Sequence, residues 1–194
     1  MDTAEYRVRQ NAFEQERLWR VSPDGLSWDG GDKKGHFPFS DIVSIRLSFT
    51  PTRFDFIRYR CSVTRFNGWQ ETIMSTSYAG IGSFEERAQD YARFVKNLVA
   101  EAAKANPAIR FEAGESPLKY WGSIAILIGA FLILALVIFS IGFNTTWLIV
   151  AKLLVIAFLL PLCFKWIARN RPHGFTPDVI PAEVLPSAPL EHRQ

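Results

Sequence analysis

The sequence predicts an α+β protein: an antiparallel β-sheet or partly open barrel closed by one amphipathic helix, followed by a hairpin of two transmembrane helices. Three observations predict it. Most of the 22 Lys and Arg residues and of the 19 Asp and Glu residues precede residue 120, as is typical of a water-exposed domain. Short β-type runs separated by turn residues fill residues 18–80. The segment 120–167 is apolar, with Lys152 and Lys165 as its charged residues.

The first strands are predicted from turn chemistry. The runs "RLWRV" and "LSW" flank "SPDG", a pattern typical of a β-hairpin. Three longer runs follow: "FSDIVSIRLSF", "RFDFIRYRCSVT" and "WQETIMSTSY". Because no helical pattern separates these strands, an antiparallel meander is favoured.

Apolar residues alternate along two of these runs, so each run has one buried face. The inward sets are Val43, Ile45, Leu47 and Phe49 in the first, and Ile57, Tyr59, Cys61 and Val63 in the second. Both sets must face one core, since a slip of one residue would bury the intervening arginines. The connection must therefore contain an odd number of residues, and we expect three or five around residues 50–53.

The opposite face of the same two strands is predicted to be basic. This register places Arg46 beside or diagonal to Arg58, with Arg60 nearby, and like charges across strands are destabilising. Either an acidic neighbour, with Glu71 available, separates the arginines, or they meet an anionic lipid or a partner carboxylate. The candidate basic patch comprises Lys33, Lys34, Arg46, Arg58 and Arg60.

One long helix is predicted after the strands. The string "SFEE" at residues 83–86 matches a capping box, which marks a helix start. Apolar residues at helical spacing then form a stripe: Tyr91, Val95, Leu98, Val99 and Ala102. The helix should end around residues 104–107 and cover an open end or face of the sheet.

The apolar segment is too long for one membrane crossing. As one straight helix, residues 120–167 would extend about 72 Å, whereas a hydrocarbon core is about 30 Å thick. We therefore expect spans at residues 120–142 and 147–168, with the turn in "FSIGFNTTW" at 139–147. A buried helical pair in a soluble protein is disfavoured because the segment has almost no polar stripe.

Charges at the ends of the segment predict its orientation. The turn is uncharged while basic residues flank both outer ends, so both termini are expected in the cytoplasm. The expected interface anchors are Lys119, Trp121, Trp147, Lys165, Trp166, Arg169 and Arg171. Lys152 lies inside a span, where it either serves an ion or proton relay or extends its ammonium group to the headgroups.

The sequence contains no motif that predicts a catalytic or metal-binding site. His36, His173 and His192 belong to no catalytic or metal motif, and Cys61 and Cys163 match no zinc or disulfide pattern. The formal charge of +3 is too small and too evenly spread for nucleic acid binding. We expect neither an enzyme nor a cofactor.

Several strings resemble one protein family. These are "SDIVSIRL", "TIMSTSY", "SFEERAQDYARFVKNL" and "RFEAG", with "RNRP" and "TPDVIPAEVLP" after the apolar segment. Together they resemble uncharacterised proteobacterial inner-membrane proteins that carry a pleckstrin-homology-like cytosolic domain before two transmembrane helices. The resemblance implies a fold and a location, and no activity.

The expected organisation has six parts. These are an N-terminal segment (1–17), a cytosolic domain (18–113), a linker (114–119), two spans (120–142 and 147–168) and a Pro-rich cytosolic tail (169–194). Five prolines in the last 25 residues favour an extended tail without a packed core.

The expected function is protein interaction or self-association at the membrane surface. The cytosolic domain would bind a membrane protein or a second copy of the chain. One alternative is recognition of anionic lipid by the basic patch. Another is a small transport or channel subunit built from oligomerised hairpins.

Overall fold

The computed structural model of the chain describes residues 4–51, 57–80, 83–140, 167–168 and 170–186. It is an α+β structure with mostly antiparallel sheets and two helices among these residues. The chain divides into two compact units: Met1–Gly114 with His173–Gln194, and Glu115–Pro172. We call the first the sheet unit and the second the apolar unit.

The first sheet of the sheet unit contains four antiparallel strands in chain order: β1 (Ala4–Val8), β2 (Arg17–Ser22), β3 (Gly25–Asp29) and β4 (Lys34–Pro38). The predicted hairpin is confirmed, because β2 and β3 pair up to Ser22 and Gly25. The segment 1–17 was not expected to contain a strand. It contributes β1 because Tyr6 and Val8 alternate with exposed residues and are buried in the core.

The second sheet is built around three long strands that follow a short 3-10 turn at Phe39–Asp41. They are β5 (Ile42–Pro51), β6 (Ile57–Arg65) and β7 (Gln70–Met74), all antiparallel. Pro51 pairs with Ile57, which leaves the five residues 52–56 between the strands. The odd connection is therefore confirmed, and both apolar faces reach one core.

The predicted inward set needs one correction at Val43. A register irregularity lies between Ile42 and Ser44, so an extra residue shifts the alternation there. Ile42 is consequently buried, while Val43 is only partly buried. The remaining inward residues that have a described burial are in the core: Ile45, Leu47, Phe49, Tyr59, Cys61 and Val63.

The predicted capping box is wrong. Residues 83–86 form β9 (Ser83–Glu86), which pairs antiparallel with β8 (Thr76–Gly80). The phenyl ring of Phe84 packs edge-on against Tyr78 across this hairpin at 5.8 Å. The backbone of "SFEE" is thus held in extended pairing, and the helix begins later, after Arg87, without a side-chain cap.

Helix α1 (Ala88–Ala105) packs chiefly against β1 and β2. The predicted apolar stripe is confirmed, because every one of its members is buried, together with Phe94. Tyr6 of β1 contacts both Tyr91 and Phe94, with ring centroids 6.0 and 5.6 Å apart. At the other end of the helix, the side-chain amide Nδ2 of Asn106 donates to the Phe39 carbonyl at 2.9 Å.

Two short strands extend the second sheet. β10 (Arg110–Ala113) runs parallel to β5, and β11 (His173–Gly174) runs antiparallel to β10. The strand order is β11-β10-β5-β6-β7. The described strands thus form separate sheets and not a closed barrel.

The expectation of an extended, unpacked tail is wrong for residues 173–186. The ring of Phe175 packs on Phe111 at 5.8 Å, and Val184 and Leu185 are buried in the core. Proline restricts helices and central strands but permits turns. A turn in which the Val184 amide donates to the Pro181 carbonyl brings the two apolar side chains inward.

The apolar unit begins with helix α2 (Pro117–Ser140). It starts three residues before the expected first span because Pro117 suits the first helical position. The predicted turn at 139–147 lies outside the described residues beyond Ser140. So does the second predicted span, 147–168, apart from residues 167 and 168.

Candidate functional site

The chain leaves the sheet unit and returns to it at one sheet edge. Ala113 of β10 pairs with His173 of β11, and Glu112 pairs with Gly174. Just after β10, the Gly114 amide donates to the Leu47 carbonyl at 2.8 Å. Gly114 has a φ of 84°, a conformation that glycine adopts without a Cβ penalty.

The two ends of the apolar unit also meet. The Glu115 amide donates to the Asn170 carbonyl at 3.2 Å, and the Tyr120 hydroxyl donates to the Ile167 carbonyl at 3.4 Å. Tyr120 and Asn170 are both buried. Ile167 therefore lies beside the first turns of α2.

Helix α2 is the one helix in the described ranges that is long and apolar enough to cross a membrane. Its window Pro117–Leu134 has a mean hydropathy of 1.7 and is only 6% buried. Large exposed apolar side chains follow its length: Leu118, Trp121, Ile126, Ile128, Leu132, Ile133 and Leu136. Exposed apolar area on this scale is unfavourable in water.

Three of the predicted interface anchors are described. Lys119 and Trp121 lie in the first turns of α2, where Trp121 is 66% exposed and packs edge-on against Tyr120 at 5.6 Å. Arg171 is exposed just before β11. The other predicted anchors and the intramembrane charge lie outside the described residues: Trp147, Lys165, Trp166, Arg169 and Lys152.

Arg46 of the basic patch has an acidic neighbour. It forms an ion pair with Glu112, its register partner on β10, and both side chains are largely buried. An acidic residue on an adjacent strand was one expected solution for this face, but the residue is Glu112 and not Glu71. Glu71 pairs instead with Arg17, at 3.1 Å.

The register of β5 and β6 corrects the expected arrangement of the arginines. Arg46 lies opposite Ser62 and Arg60 lies opposite Ser48, so Arg60, not Arg58, is diagonal to Arg46. Arg58 lies further along, and its guanidinium stacks 3.9 Å from the centroid of Phe84. This contact is a cation–π interaction in which the Arg58 guanidinium binds a ring of the sheet unit itself.

The two lysines of the basic patch lie on the other sheet, at the connection between β3 and β4. Lys34 pairs with Asp29 at 2.9 Å, and this hydrogen bond lowers the pKa of the Asp29 carboxyl. Lys33 is exposed. The structure thus divides the five residues of the basic patch between two sheets.

Burial shifts the pKa values of three titratable groups in the core. Burial raises the pKa of the Cys61 thiol from its ordinary 9.0 to about 12. Burial also raises the pKa values of the Tyr6 and Tyr91 phenols. Over the described part of the chain, no three His, Cys, Asp or Glu side chains are placed to hold a metal ion.

A groove that the sequence did not predict lies beside the edge strand β1. It has a volume of about 960 Å³ and lies between β1 and the start of α1. Its lining includes Glu5, Arg7, Glu85, Glu86, Asp90 and Pro186. The alternation of apolar residues in "AEYRV" is the signal that could have predicted β1 and therefore this edge.

Two comparisons with known proteins found no match. No known protein family matches the chain, and no curated protein matches its sequence.

Proposed function

We propose that the chain is an integral protein of the bacterial inner membrane. In this proposal its sheet unit is a cytosolic, pleckstrin-homology-like module that binds a protein partner, or a second copy, at the membrane surface, and it has no enzymatic role. The observation that carries the proposal is the pairing of β10 with β11.

This pairing constrains the path of the chain. Residues 115–172 contain an exposed apolar helix, yet Ala113 and His173, which flank this segment, pair at one sheet edge. A segment that leaves and returns on one side of a membrane crosses it an even number of times. Because two crossings of about 20 residues fit the apolar length, we infer two spans with both termini in the cytoplasm.

The strand order supports a pleckstrin-homology-like module. A four-stranded antiparallel sheet is followed by a three-stranded meander and one helix that packs on the first sheet. The β8–β9 hairpin and the short strands β10 and β11 are additions to that plan. In the sequence, β10 immediately precedes the apolar unit and β11 immediately follows it.

Protein interaction is favoured over lipid recognition because side chains of the basic patch already contact other residues of the sheet unit. Arg46 binds Glu112, Lys34 binds Asp29, and Arg58 stacks on Phe84. Aromatic side chains, by contrast, are left exposed on loops: Phe13 at 99%, Phe66 at 71% and Trp69 at 60%. Aromatic residues are enriched in protein–protein interfaces.

Two measurements on the full chain test this proposal. Extraction of membranes with alkaline carbonate should leave the protein in the pellet, and its release into the supernatant would reject integral insertion. Crosslinking in intact membranes, followed by mass spectrometry, should yield crosslinks from the sheet unit to a second polypeptide or a second copy. Crosslinks within single chains only would reject the interaction role.

The lipid alternative has its own test. A variant in which all five residues of the basic patch are replaced by Gln should bind a protein partner as before. Binding of the reconstituted protein to added anionic vesicles should also be unchanged. A loss of vesicle binding in this variant would instead support lipid recognition.

A further inference from the structure

Three large aromatic side chains are exposed on two loops of the sheet unit. Phe13 lies on the connection between β1 and β2, whereas Phe66 and Trp69 lie on the connection between β6 and β7. We call these three residues the aromatic surface. Exposed apolar residues that cluster on a folded domain are typical of interaction sites, whereas single ones are not.

Ion pairs and a hydrogen bond hold the two loops side by side. Arg17 of β2 pairs with Glu71 of β7 at 3.1 Å. The Glu71 carboxylate also accepts from the Trp69 indole at 3.3 Å. Arg17 pairs in addition with Glu14, the chain neighbour of Phe13, at 3.3 Å. The residues of the aromatic surface therefore belong to one region of the sheet unit.

Each loop is also fixed by hydrogen bonds of its own. The Arg9 guanidinium donates to the Ala12 and Glu14 carbonyls at 2.8 and 2.9 Å. In the second loop, the Gly68 amide donates to the Arg65 carbonyl at 3.0 Å. Side chains carried by fixed loops lose less conformational freedom on binding, so more of the free energy of their burial is retained as affinity.

The charges around the aromatic surface nearly balance. Ion pairs join the nearby acidic side chains to arginines: Glu14 and Glu71 to Arg17, Glu16 and Glu85 to Arg87, and Asp41 to Arg65. Counted together with Arg9, these acidic and basic groups differ by a single charge. The surface therefore favours neither a basic nor an acidic partner, and two copies of it can meet with little like-charge repulsion.

The exposed area of the rings indicates the strength of the contact that they can make. Phe13, Phe66 and Trp69 are 99%, 71% and 60% exposed, which corresponds to roughly 500 Å² in total. One side of a standard protein–protein interface buries about 800 Å². The aromatic surface alone thus suits a weak contact between proteins that are already held close together. Copies anchored in one membrane meet this condition, because the shared bilayer raises their effective concentration.

We propose that the aromatic surface is a self-association site, at which Phe13, Phe66 and Trp69 pack against the same residues of a second copy in the same membrane. This inference rests on the proposed membrane and interaction roles and names the surface and the partner. A two-fold dimer brings the same patch of both copies together, so the rings of one copy meet the rings of the other. Aromatic rings pack favourably on one another, and aromatic anchors at interfaces tend to contact anchors of the partner.

Cysteine crosslinking of the full chain in intact membranes tests whether the two surfaces meet. In a Cys163→Ser background, Ala12→Cys adds a thiol next to Phe13, and Ala100→Cys adds one at an exposed position of α1 as the matched control. Cys61 is buried. A bismaleimide should convert the Ala12→Cys variant into a dimer and leave the Ala100→Cys variant at the background level. Equal dimer yields from the two variants would overturn the proposal.

The contribution of the rings is measured by energy transfer between donor- and acceptor-labelled copies in liposomes of decreasing protein density. Combined replacement of Phe13, Phe66 and Trp69 by Ala should weaken association at least about tenfold. Val179→Ala, which truncates another exposed apolar side chain, should leave association unchanged. A parent protein that stays monomeric at every density, or a folded triple variant that associates like the parent, would overturn the proposal.

Phe13→Ala alone provides a test that does not depend on the triple variant folding. The Phe13 side chain is fully exposed, so its removal takes no contact away from the core. We expect the same thermal unfolding as the parent and an association that is weaker by about threefold or more. Unchanged association of this variant would contradict the packing of Phe13 in the dimer.

Other occupants of the aromatic surface give different results. A polarity-sensitive dye on the Ala12→Cys variant should report water at the lowest protein density and an apolar contact at high density. Apolar emission at the lowest density would place this loop in the bilayer and overturn the proposal. Crosslinks from the same position to a different polypeptide, with a purified chain that stays monomeric, would assign the surface to that protein and also overturn it.

Failure of this inference and failure of the proposed function are distinguishable. Crosslinks from the sheet unit to another polypeptide that the triple alanine variant retains would reject the aromatic surface and leave the interaction role intact. Release of the protein by alkaline carbonate would reject the membrane role. A dimer of that released protein through the Ala12→Cys position would still support the aromatic surface as the site of self-association.

Discussion

Ala113 and His173 are partners in adjacent antiparallel strands, although the chain between them passes through the apolar helix α2. The pair places the residues that precede and follow the apolar segment at one edge of the second sheet. A similar closure occurs within the apolar unit, where Glu115 bonds to Asn170. These contacts make the segment after β11 part of the folded sheet unit, and its contribution can be measured.

Leu185 should stabilise the sheet unit from beyond the apolar segment. Its side chain is buried in the core, so Leu185→Ala should lower the free energy of unfolding by roughly 2–4 kcal/mol. Val179, in the same segment, is 69% exposed, and Val179→Ala should cost little. Urea unfolding of the full chain in detergent, followed by tryptophan fluorescence, measures both. Equal costs for the two variants would show that the segment does not pack as described.

Gly35 should be intolerant of a side chain. A Cβ added there would lie 2.3 Å from the indole nitrogen of Trp28, so Gly35→Ala must displace the ring. We expect a loss of roughly 1–3 kcal/mol and a change in tryptophan emission. Gly80→Ala is the control, because a Cβ at Gly80 would meet no atom within 4 Å. A silent Gly35→Ala variant would contradict this packing.

Arg46 and Glu112 should be energetically coupled. Their side chains are only 18% and 28% exposed, so removal of one charge leaves the other partly buried without its partner. A double-mutant cycle of Arg46→Met and Glu112→Gln should give a coupling energy of roughly 0.5–2 kcal/mol. Additive effects in thermal unfolding would show that the pair does not form.

Cys61 should make the stability depend on alkaline pH. Because its pKa is about 12 in the folded chain and near 9.0 when exposed, the unfolded chain releases the thiol proton first. Stability is then complete below pH 9 and falls as the pH rises towards 12, by up to about 1.4 kcal/mol per pH unit. Cys61→Ala should flatten this slope in unfolding measurements, and an unchanged slope would contradict the shift.

The sequence correctly predicted those elements whose local hydrophobic pattern agrees with their packing in the folded chain. The α1 stripe around Tyr91 and Leu98 repeats over several turns, so one face had to be buried. The odd connection between β5 and β6 followed from parity alone, because Leu47 and Cys61 had to share a core. Neither conclusion required knowledge of which distant segment each element packs against.

The missed elements depend on pairing with distant residues. Ser83–Glu86 matches a capping box locally, but its pairing with β8 gives an extended backbone. The two-residue strand β11 exists only because β10 lies beside it. The groove was missed for the same reason, since it requires β1 and the start of α1 to meet across the fold.

The position of the two termini is the central consequence of the β10–β11 pairing, and fused reporters test it most directly. Green fluorescent protein, which fluoresces after cytoplasmic folding, and alkaline phosphatase, which is active after export, should each be fused to either end of the full chain. The account predicts fluorescence without phosphatase activity at both ends. Fluorescence at one end and phosphatase activity at the other would mean an odd number of crossings and would contradict it.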